Sequence, residues 1–192
     1  MKTTRSYTMR ARAAAVEETR RRILDATYDL CTRMRLSDIS LDAVAETAGV
    51  SVQTVLRQFG TKAGLVEATS EHISTQVAAE RQVAAGDVEE GLRLLVEHYE
   101  NRGDAVLLLL AQEDAEEAVR GVVERGRRLH REWVEQTFAP SLEALPADGR
   151  TERVDLLVVA TDVYTWKLLR RDRGLSRAET AQRIEALVAR LT

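Results

Sequence analysis

The sequence predicts an all-α fold of about nine helices. Ala, Leu, Val, Glu and Arg dominate the composition, and only 2 of the 192 residues are proline, which favours helix. Apolar residues recur along most of the chain at the three- and four-residue spacing of an amphipathic helix, and no segment alternates with the period of two typical of a strand. With 44% hydrophobic and 31% charged residues, the chain is long and apolar enough to form a sizeable core in one or two domains.

Composition excludes several classes of protein. The single cysteine, Cys31, cannot form an internal disulfide, and its place on an apolar helical stripe predicts a small core residue. No apolar run approaches the ~20 residues of a membrane-spanning helix, and the basic N-terminus is not followed by the apolar segment of a signal peptide. We therefore expect a cytoplasmic protein that makes no membrane contact.

The charge is unevenly distributed along the chain. Residues 1–62 hold 11 Lys and Arg against 7 Asp and Glu, a balance of +4. The remaining residues hold 17 against 24, a balance of −7, so that the whole chain has a net charge of −3. A basic first third on an acidic remainder predicts a DNA-binding head on a body with another role.

Two segments, an N-terminal arm and a first helix, are predicted before residue 36. Residues 1–16 carry four basic residues without a clear apolar period and predict a flexible basic arm, which either reaches DNA phosphates or is a solvated tail. The first helix is predicted over about 17–35, where Ile23, Leu30 and Met34 lie on an apolar stripe.

Residues 40–59 predict a helix-turn-helix. Ser40 and Ser51 are good N-caps for two short helices, and Gly49 can adopt the left-handed conformation that ends the first of them. In the second helix Val55 faces inward and leaves an outer face that mixes hydrogen-bonding and apolar tips, as base readout in a major groove requires. That outer face comprises Gln53, Thr54, Leu56, Arg57 and Gln58. Two packed helices with a purely structural role would show the same pattern. The alternative to a DNA-binding protein is therefore an all-α protein–protein adaptor.

A long helix is predicted from Lys62 into the mid-80s, with Gly60 ending the preceding helix and Thr61 as N-cap. Lys62 lies where backbone amides and the helix dipole favour a phosphate. The length of this helix predicts that it passes from a small N-terminal bundle into a second domain. Five further helices are predicted over about 87–102, 104–113, 115–142, 150–173 and 177–191.

Residues that carry catalytic or metal chemistry are few. The three histidines, His72, His98 and His130, lie on three different predicted helices without a spaced partner, so we expect no metal, no cofactor and no enzyme. Adjacent carboxylates such as Glu89 and Glu90 point apart on a helix and are interpreted as solvated. The basic stretch 125–133 is likewise interpreted as a solvated face rather than as a second DNA patch.

The second domain holds five of the eight aromatic residues, which either line a ligand cavity or form plain core. Polar groups near its apolar stripes, above all Asp162, would orient a ligand or pair with an arginine. The candidate ligand-binding residues are Tyr99, Glu113, Trp133, Phe138, Asp162, Tyr164 and Trp166, with His98 and Asp104 as further polar neighbours. The last two long helices carry more apolar surface than a small domain buries, which predicts a symmetric dimer interface.

Between about Arg20 and Val66 these features combine into a recognisable pattern. Its members are Ile23, Leu24, Asp25 and Ala26, then Ala45, Ala48, Gly49, Val50 and Ser51, then Thr54, Val55 and Phe59, and finally Lys62 and Leu65. The pattern resembles the DNA-binding domain of the tetracycline-repressor (TetR) family of bacterial transcription regulators. It departs from that family at Leu56, where Tyr is usual, at Asp42, often Arg or Lys, and at Arg35 and Gly60, which replace a usual Gly and a common Pro.

The resemblance implies a domain organisation and a mechanism. Residues 17–66 would form the DNA-binding domain, with its helix-turn-helix at 40–59, and residues 67–192 a variable ligand-binding and dimerisation domain. A homodimer would form through the two C-terminal helices, and helix Val52–Gln58 of each subunit would enter a major groove of a pseudo-palindromic double-stranded DNA operator. By position, Val52, Gln53, Leu56 and Arg57 would face bases, and Ser40, Thr54, Gln58 and Lys62 would hold phosphates. The expected function is a transcriptional repressor that a small-molecule effector releases from DNA.

Overall fold

A computed structural model describes the backbone of residues 3–192 and the side chains of residues 11–192. Every regular element in that range is helical, which confirms the all-α prediction. The helices are α1 (Thr3–Cys31), α2 (Leu41–Ala48), α3 (Val52–Phe59), α4 (Lys62–Glu80), α5 (Val88–Leu110), α6 (Glu117–Thr137), α7 (Ala139–Glu143), α8 (Ala147–Thr161), α9 (Val163–Lys167) and α10 (Arg177–Val188). The chain forms two compact units that divide between Ile73 and Ser74, within α4.

Helix α1 is longer at its start than the sequence predicts. It begins at Thr3, so the described residues 3–16 are helical, whereas the sequence predicts a flexible arm over 1–16 without a helix. The physical reason is local, because this segment contains no Gly or Pro and is rich in Ala, the strongest helix former. The helix also ends earlier than predicted, at Cys31, and a short 3₁₀ turn, Leu36–Asp38, follows it.

The first unit packs α2, α3 and the start of α4 around the second half of α1. The most deeply buried apolar side chains of this unit are Ile23, Leu24, Leu36, Ile39, Val44, Ala45, Val55 and Leu65. Cys31 is half-buried at the edge of this core, and burial raises the pKa of its thiol to about 11. The core therefore fixes α2 and α3 against a long helix, with one face of α3 left outside.

Helix α5 is continuous where the sequence predicts a break at Gly103 and Asp104. Gly103 is instead a packing residue, because a Cβ atom there would lie only 2.5 Å from Cζ3 of the buried Trp166 ring. Asp104 accepts hydrogen bonds from Arg171 at 3.0 and 2.9 Å, which holds it on the outside of the helix. The predicted boundary at 103–104 was therefore wrong for a tertiary reason.

Two other predicted helices are divided in the structure. The predicted helix 115–142 is interrupted at Phe138, and Pro140 lies in the first turn of α7, where its missing N–H costs no intrahelical bond. The predicted helix 150–173 breaks at Asp162, whose extended backbone ends α8 and whose side chain accepts a hydrogen bond from the Tyr164 N–H at 2.8 Å. Beyond α9 the chain continues as a π-helical turn, Leu168–Asp172.

The second unit is organised around a core contributed by α5 to α10. Its fully buried large side chains are Leu95, Phe138, Leu142, Leu157, Trp166 and Ile184. No helix among the described residues is long and apolar enough to cross a membrane.

Candidate nucleic-acid interface

The helix-turn-helix forms as the sequence predicts. The Ser40 hydroxyl accepts a hydrogen bond from the Ala43 N–H at 3.1 Å and caps α2. Gly49 then takes the left-handed conformation, with φ 65° and ψ 41°, and ends that helix. The Ser51 hydroxyl accepts from the Thr54 N–H at 3.2 Å and caps α3. Each boundary is therefore set by a local interaction that the residue types allow.

Helix α3 presents its outer face to solvent. Val55, in the middle of the helix, is only 1% exposed and anchors it to the core, whereas the next residue, Leu56, is 40% exposed. Gln53 and Arg57 are exposed beside Leu56, and Val52, Thr54 and Gln58 are half-buried at the edges. An eight-residue helix is about 12 Å long, which matches the width of a major groove. The four side chains predicted to face bases therefore lie on or next to one accessible surface.

The two hydroxyl groups predicted to hold phosphates, those of Ser40 and Thr54, also make hydrogen bonds within the protein. Ser40 caps α2 as an acceptor, so its own O–H proton stays available as a donor. The Thr54 hydroxyl lies 3.0 Å from the Ser51 hydroxyl and shares a hydrogen bond with it. Both hydroxyl groups lie in the first turn or at the N-cap of a helix, where the helix dipole favours an anion such as phosphate.

Lys62 has a role that the sequence did not predict. Its ammonium donates to the carbonyl oxygen of Leu36 at 2.7 Å and to that of Ser37 at 3.4 Å. These bonds tie the start of α4 to the 3₁₀ turn after α1 and commit two of the three ammonium protons. The predicted phosphate contact of Lys62 stays a prediction, with one donor left for it.

The junction between α3 and α4 is unusually close. Gly60 ends α3 with a positive φ of 75°, and the Thr61 hydroxyl accepts from the Gly64 N–H at 3.0 Å. A Cβ atom on Gly64 would lie 2.4 Å from the carbonyl oxygen of Phe59, so only glycine fits there. The end of α3 is thereby held against the first turn of α4.

Sequence reasoning missed the contacts of the arginines on α1. The Arg20 guanidinium lies over the Phe59 ring, 4.7 Å from its centroid, and so braces the end of α3. Arg21 pairs with Glu18 on the same helix at 2.5 Å. The run of three arginines was visible in the sequence, but which of them faces α3 depends on how the helices pack.

The structure separates the predicted ligand-binding residues into two groups. The four large aromatic residues Tyr99, Trp133, Phe138 and Trp166 are buried in the core, with the Trp133 and Phe138 rings edge to face at 6.3 Å. Trp166, on α9, is buried against α5: its ring centroid is 5.9 Å from that of Tyr99, and its indole N–H donates to Glu100 at 3.0 Å. The other three lie outside this core: Glu113 pairs with Arg127, Tyr164 is 54% exposed, and Asp162 caps α9.

A buried polar cluster lies beside Tyr99 and Trp133, and the sequence revealed only part of it. Arg81 lies against the Trp133 ring, and one of its terminal nitrogens is 3.2 Å from Nδ1 of His130. His130 in turn is 3.1 Å from the Thr161 hydroxyl through Nε2. Burial, and then the charge of Arg81, lowers the pKa of His130 and of His98 to about 3, so both imidazoles are neutral near pH 7.

Candidate metal ligands are not clustered in the part of the chain that the structure describes. No group of three or more His, Cys, Asp or Glu side chains there could hold a metal ion. The best-formed functional surface of the first unit is thus the capped helix pair.

Comparison with known proteins finds a family model that matches this part of the chain. Residues 23–69 match the family model described as bacterial regulatory proteins, tetR family. A tetR-family transcriptional regulator from Streptomyces coelicolor has 22% identity, covers 90% of this chain and 80% of its own, and gives a TM-score of 0.68. A transcriptional regulator from Rhodococcus sp. Rha1 has 15% identity over 90% and 95% of the two chains, with a TM-score of 0.68.

A third solved structure has a named function. NalD, the secondary repressor of the MexAB-OprM multidrug efflux pump in Pseudomonas aeruginosa, has 22% identity over 91% of this chain and 96% of its own, with a TM-score of 0.55. A comparison with curated proteins finds no match.

The fold and the capped helix pair define a helix-turn-helix protein of the DNA-binding regulator class. Residues 23–69 match the TetR-family model, and the chain as a whole has the fold of solved TetR-family regulators, which confirms the resemblance found in the sequence.

Proposed function

We propose that this protein is a homodimeric transcriptional repressor that reads a pseudo-palindromic operator through α3 and is released by a small molecule. One observation carries the DNA-binding part: α3 is capped, anchored by Val55, and presents Gln53, Leu56 and Arg57 to solvent within a TetR-family domain. Two such helices related by a two-fold axis would enter major grooves about one helical turn, ~10 bp, apart. A cytoplasmic location follows from this role.

An exposed apolar surface on the C-terminal helices supports the homodimer. It consists of Leu156 and Val159 on α8, Tyr164 on α9, Leu168 on the π-helical turn and Leu187 on α10, each between 43% and 64% exposed. Large apolar patches rarely stay in contact with water on a monomer. A second copy of the same surface would cover them, since a two-fold interface is self-complementary.

The release mechanism rests on the second unit, proposed here as the ligand-binding and dimerisation domain 67–192. Its buried aromatic and polar residues offer walls and orienting groups for a small molecule, with Trp133 in contact with Phe138, Tyr99 in the same core, and Asp162 near Tyr99. The repressor role is supported by analogy with NalD, which has the same fold. Effector binding would move α4, which runs through both units, and so change the spacing of the two heads.

Fluorescence anisotropy on the DNA upstream of the gene, with random duplex as competitor, tests the DNA-binding part. We expect tight binding that survives the competitor, and a loss of about 5- to 150-fold in affinity per half-site for Arg57→Ala, the range of one base contact. Arg150→Ala is the matched control, because Arg150 is an exposed arginine on α8, in the other unit. Affinity should also fall steeply with salt, since several phosphates are neutralised.

The same variants distinguish the adaptor alternative. If Arg57→Ala and Arg150→Ala bind DNA equally, α3 is not the reading surface, and the helix-turn-helix is structural. The dimer is tested separately by light scattering: Val159→Asp should give monomers, whereas Val16→Asp, at an exposed valine on α1, should leave the dimer intact. Dimers of both variants would contradict the proposed interface.

A further inference from the structure

Arg81 is a buried arginine without a counter-charge in the described chain. Only 7% of the residue is exposed, yet none of the described carboxylates lies within ion-pair distance of its guanidinium. Its neighbour Glu80 pairs with Arg102 at 2.7 Å instead. Uncompensated buried charges are costly, so natural proteins keep them where something pairs with them.

The groups around Arg81 do not neutralise it. The guanidinium stacks on Trp133 with its carbon 4.4 Å from the ring centroid, which offsets part of the desolvation cost. Its terminal nitrogen donates to Nδ1 of His130, whose Nε2–H donates to the Thr161 hydroxyl, and that hydroxyl donates to the Leu157 carbonyl at 2.7 Å. Each acceptor along this chain is neutral, because burial and Arg81 lower the pKa of His130.

Two buried side-chain nitrogens of this cluster are unsatisfied, and the one on His98 is a donor in the Nδ1–H tautomer of the neutral ring. Nε of Arg81 and Nδ1 of His98 are buried and lack a hydrogen-bond partner in the part of the chain that the structure describes. His98 is on α5, close enough to Arg81 and Arg102 for both cations to lower its pKa. Buried polar atoms of this kind are usually satisfied, so an unsatisfied nitrogen on the unpaired guanidinium and another on the nearby imidazole indicate a ligand.

We infer that the second unit binds the carboxylate of a small organic acid through Arg81, with His98 as a second donor. One guanidinium with neutral imidazoles suits a single negative charge, and the Arg fork matches a carboxylate in geometry. The rings of Tyr99 and Trp133 border the cluster and suit an apolar or aromatic body on the same molecule. The inference rests on the proposed function, since this acid would be the releasing effector.

The test is binding of defined carboxylates to the full-length protein without DNA. Benzoate, phenylacetate and octanoate are titrated by calorimetry and in thermal unfolding at constant ionic strength, each beside its neutral amide. At least one carboxylate is expected to bind and raise the unfolding midpoint, and its amide is not. Arg81→Met is expected to weaken that binding about tenfold to a hundredfold, the range of a charged hydrogen bond.

Two further variants keep the test decisive. Arg93→Met removes an exposed arginine of α5 that pairs with Glu90 and Glu97, and it should bind as the wild type does. His98→Leu should weaken binding even if Arg81→Met does not fold. The inference is overturned if none of the three acids binds, or if Arg81→Met and His98→Leu bind them as tightly as the wild type. Because no DNA is present, that failure leaves the DNA-binding proposal to its own assay.

Discussion

Gly103 provides a quantitative test of the packing in the second unit. A Cβ atom at this position would lie 2.5, 2.7 and 3.0 Å from three carbons of the Trp166 ring. The ring has little freedom to retreat, since it is fully buried, its N–H donates to Glu100, and the Arg171 guanidinium covers it at 4.5 Å. To reach an ordinary van der Waals distance, the added Cβ atom and the Trp166 ring would have to move apart by half an ångström or more. Gly103→Ala therefore overpacks this site.

The expected magnitude combines two opposing effects. Overpacking typically costs about 1–3 kcal/mol. Replacing Gly by Ala inside a helix recovers about 1 kcal/mol. Gly103→Ala should therefore lower the free energy of unfolding by up to about 2 kcal/mol. Gly126→Ala is the matched control on α6, because nothing lies within 4 Å of its added Cβ, and it should gain up to about 1 kcal/mol.

The assay is urea unfolding followed by circular dichroism at one fixed protein concentration, since dimer stability depends on concentration. Gly103→Ala should unfold at lower urea than the wild type, and Gly126→Ala at the same or higher urea. If both substitutions stabilise the protein equally, Gly103 is not a packing residue, and the contact between α5 and Trp166 is looser than described.

The remaining predictions concern buried titratable groups. His98 and His130 have pKa values lowered from 6.5 to about 3 by burial and Arg81, so the unfolded chain binds more protons between these values. The contribution of these two neutral histidines to the free energy of unfolding should be fully present above pH 6.5. On acidification the free energy of unfolding should fall by up to about 1.4 kcal/mol per pH unit for each histidine, and this slope should be shallower in His98→Leu. An equal slope in that variant would contradict a neutral buried His98. Burial raises the pKa of the Cys31 thiol to about 11, so iodoacetamide at pH 8.5 should alkylate the folded protein about a hundredfold more slowly than the denatured chain. Equal rates would show that the thiol is accessible.

The helix-turn-helix could be predicted almost to the residue because its boundaries are local. Ser40, Gly49 and Ser51 each set a helix end through their own hydrogen bonds or backbone conformation. The outward position of Leu56 and Arg57 then follows from the period of a helix anchored by Val55.

The second unit was less predictable because its features depend on distant residues. Glycine commonly ends a helix, so the sequence predicts a boundary at Gly103. The ring of Trp166, 63 positions later, instead packs against this glycine inside α5. The ligand contact of Asp162 stays a prediction, while its capping of α9 through the Tyr164 N–H follows only from the fold. Arg81 gave no signal at all, since only the fold places it between Trp133 and His130.

The central claim is that α3 reads bases, and selection of bound duplexes from a randomised DNA library tests it most directly. The wild type should enrich an inverted repeat with half-sites about one helical turn, ~10 bp, apart. Gln53→Ala and Arg57→Ala should each lose the preference at particular positions in both half-sites, while Arg150→Ala keeps the whole motif. Enrichment of the same motif by all three variants, or of no inverted repeat by the wild type, would contradict the account.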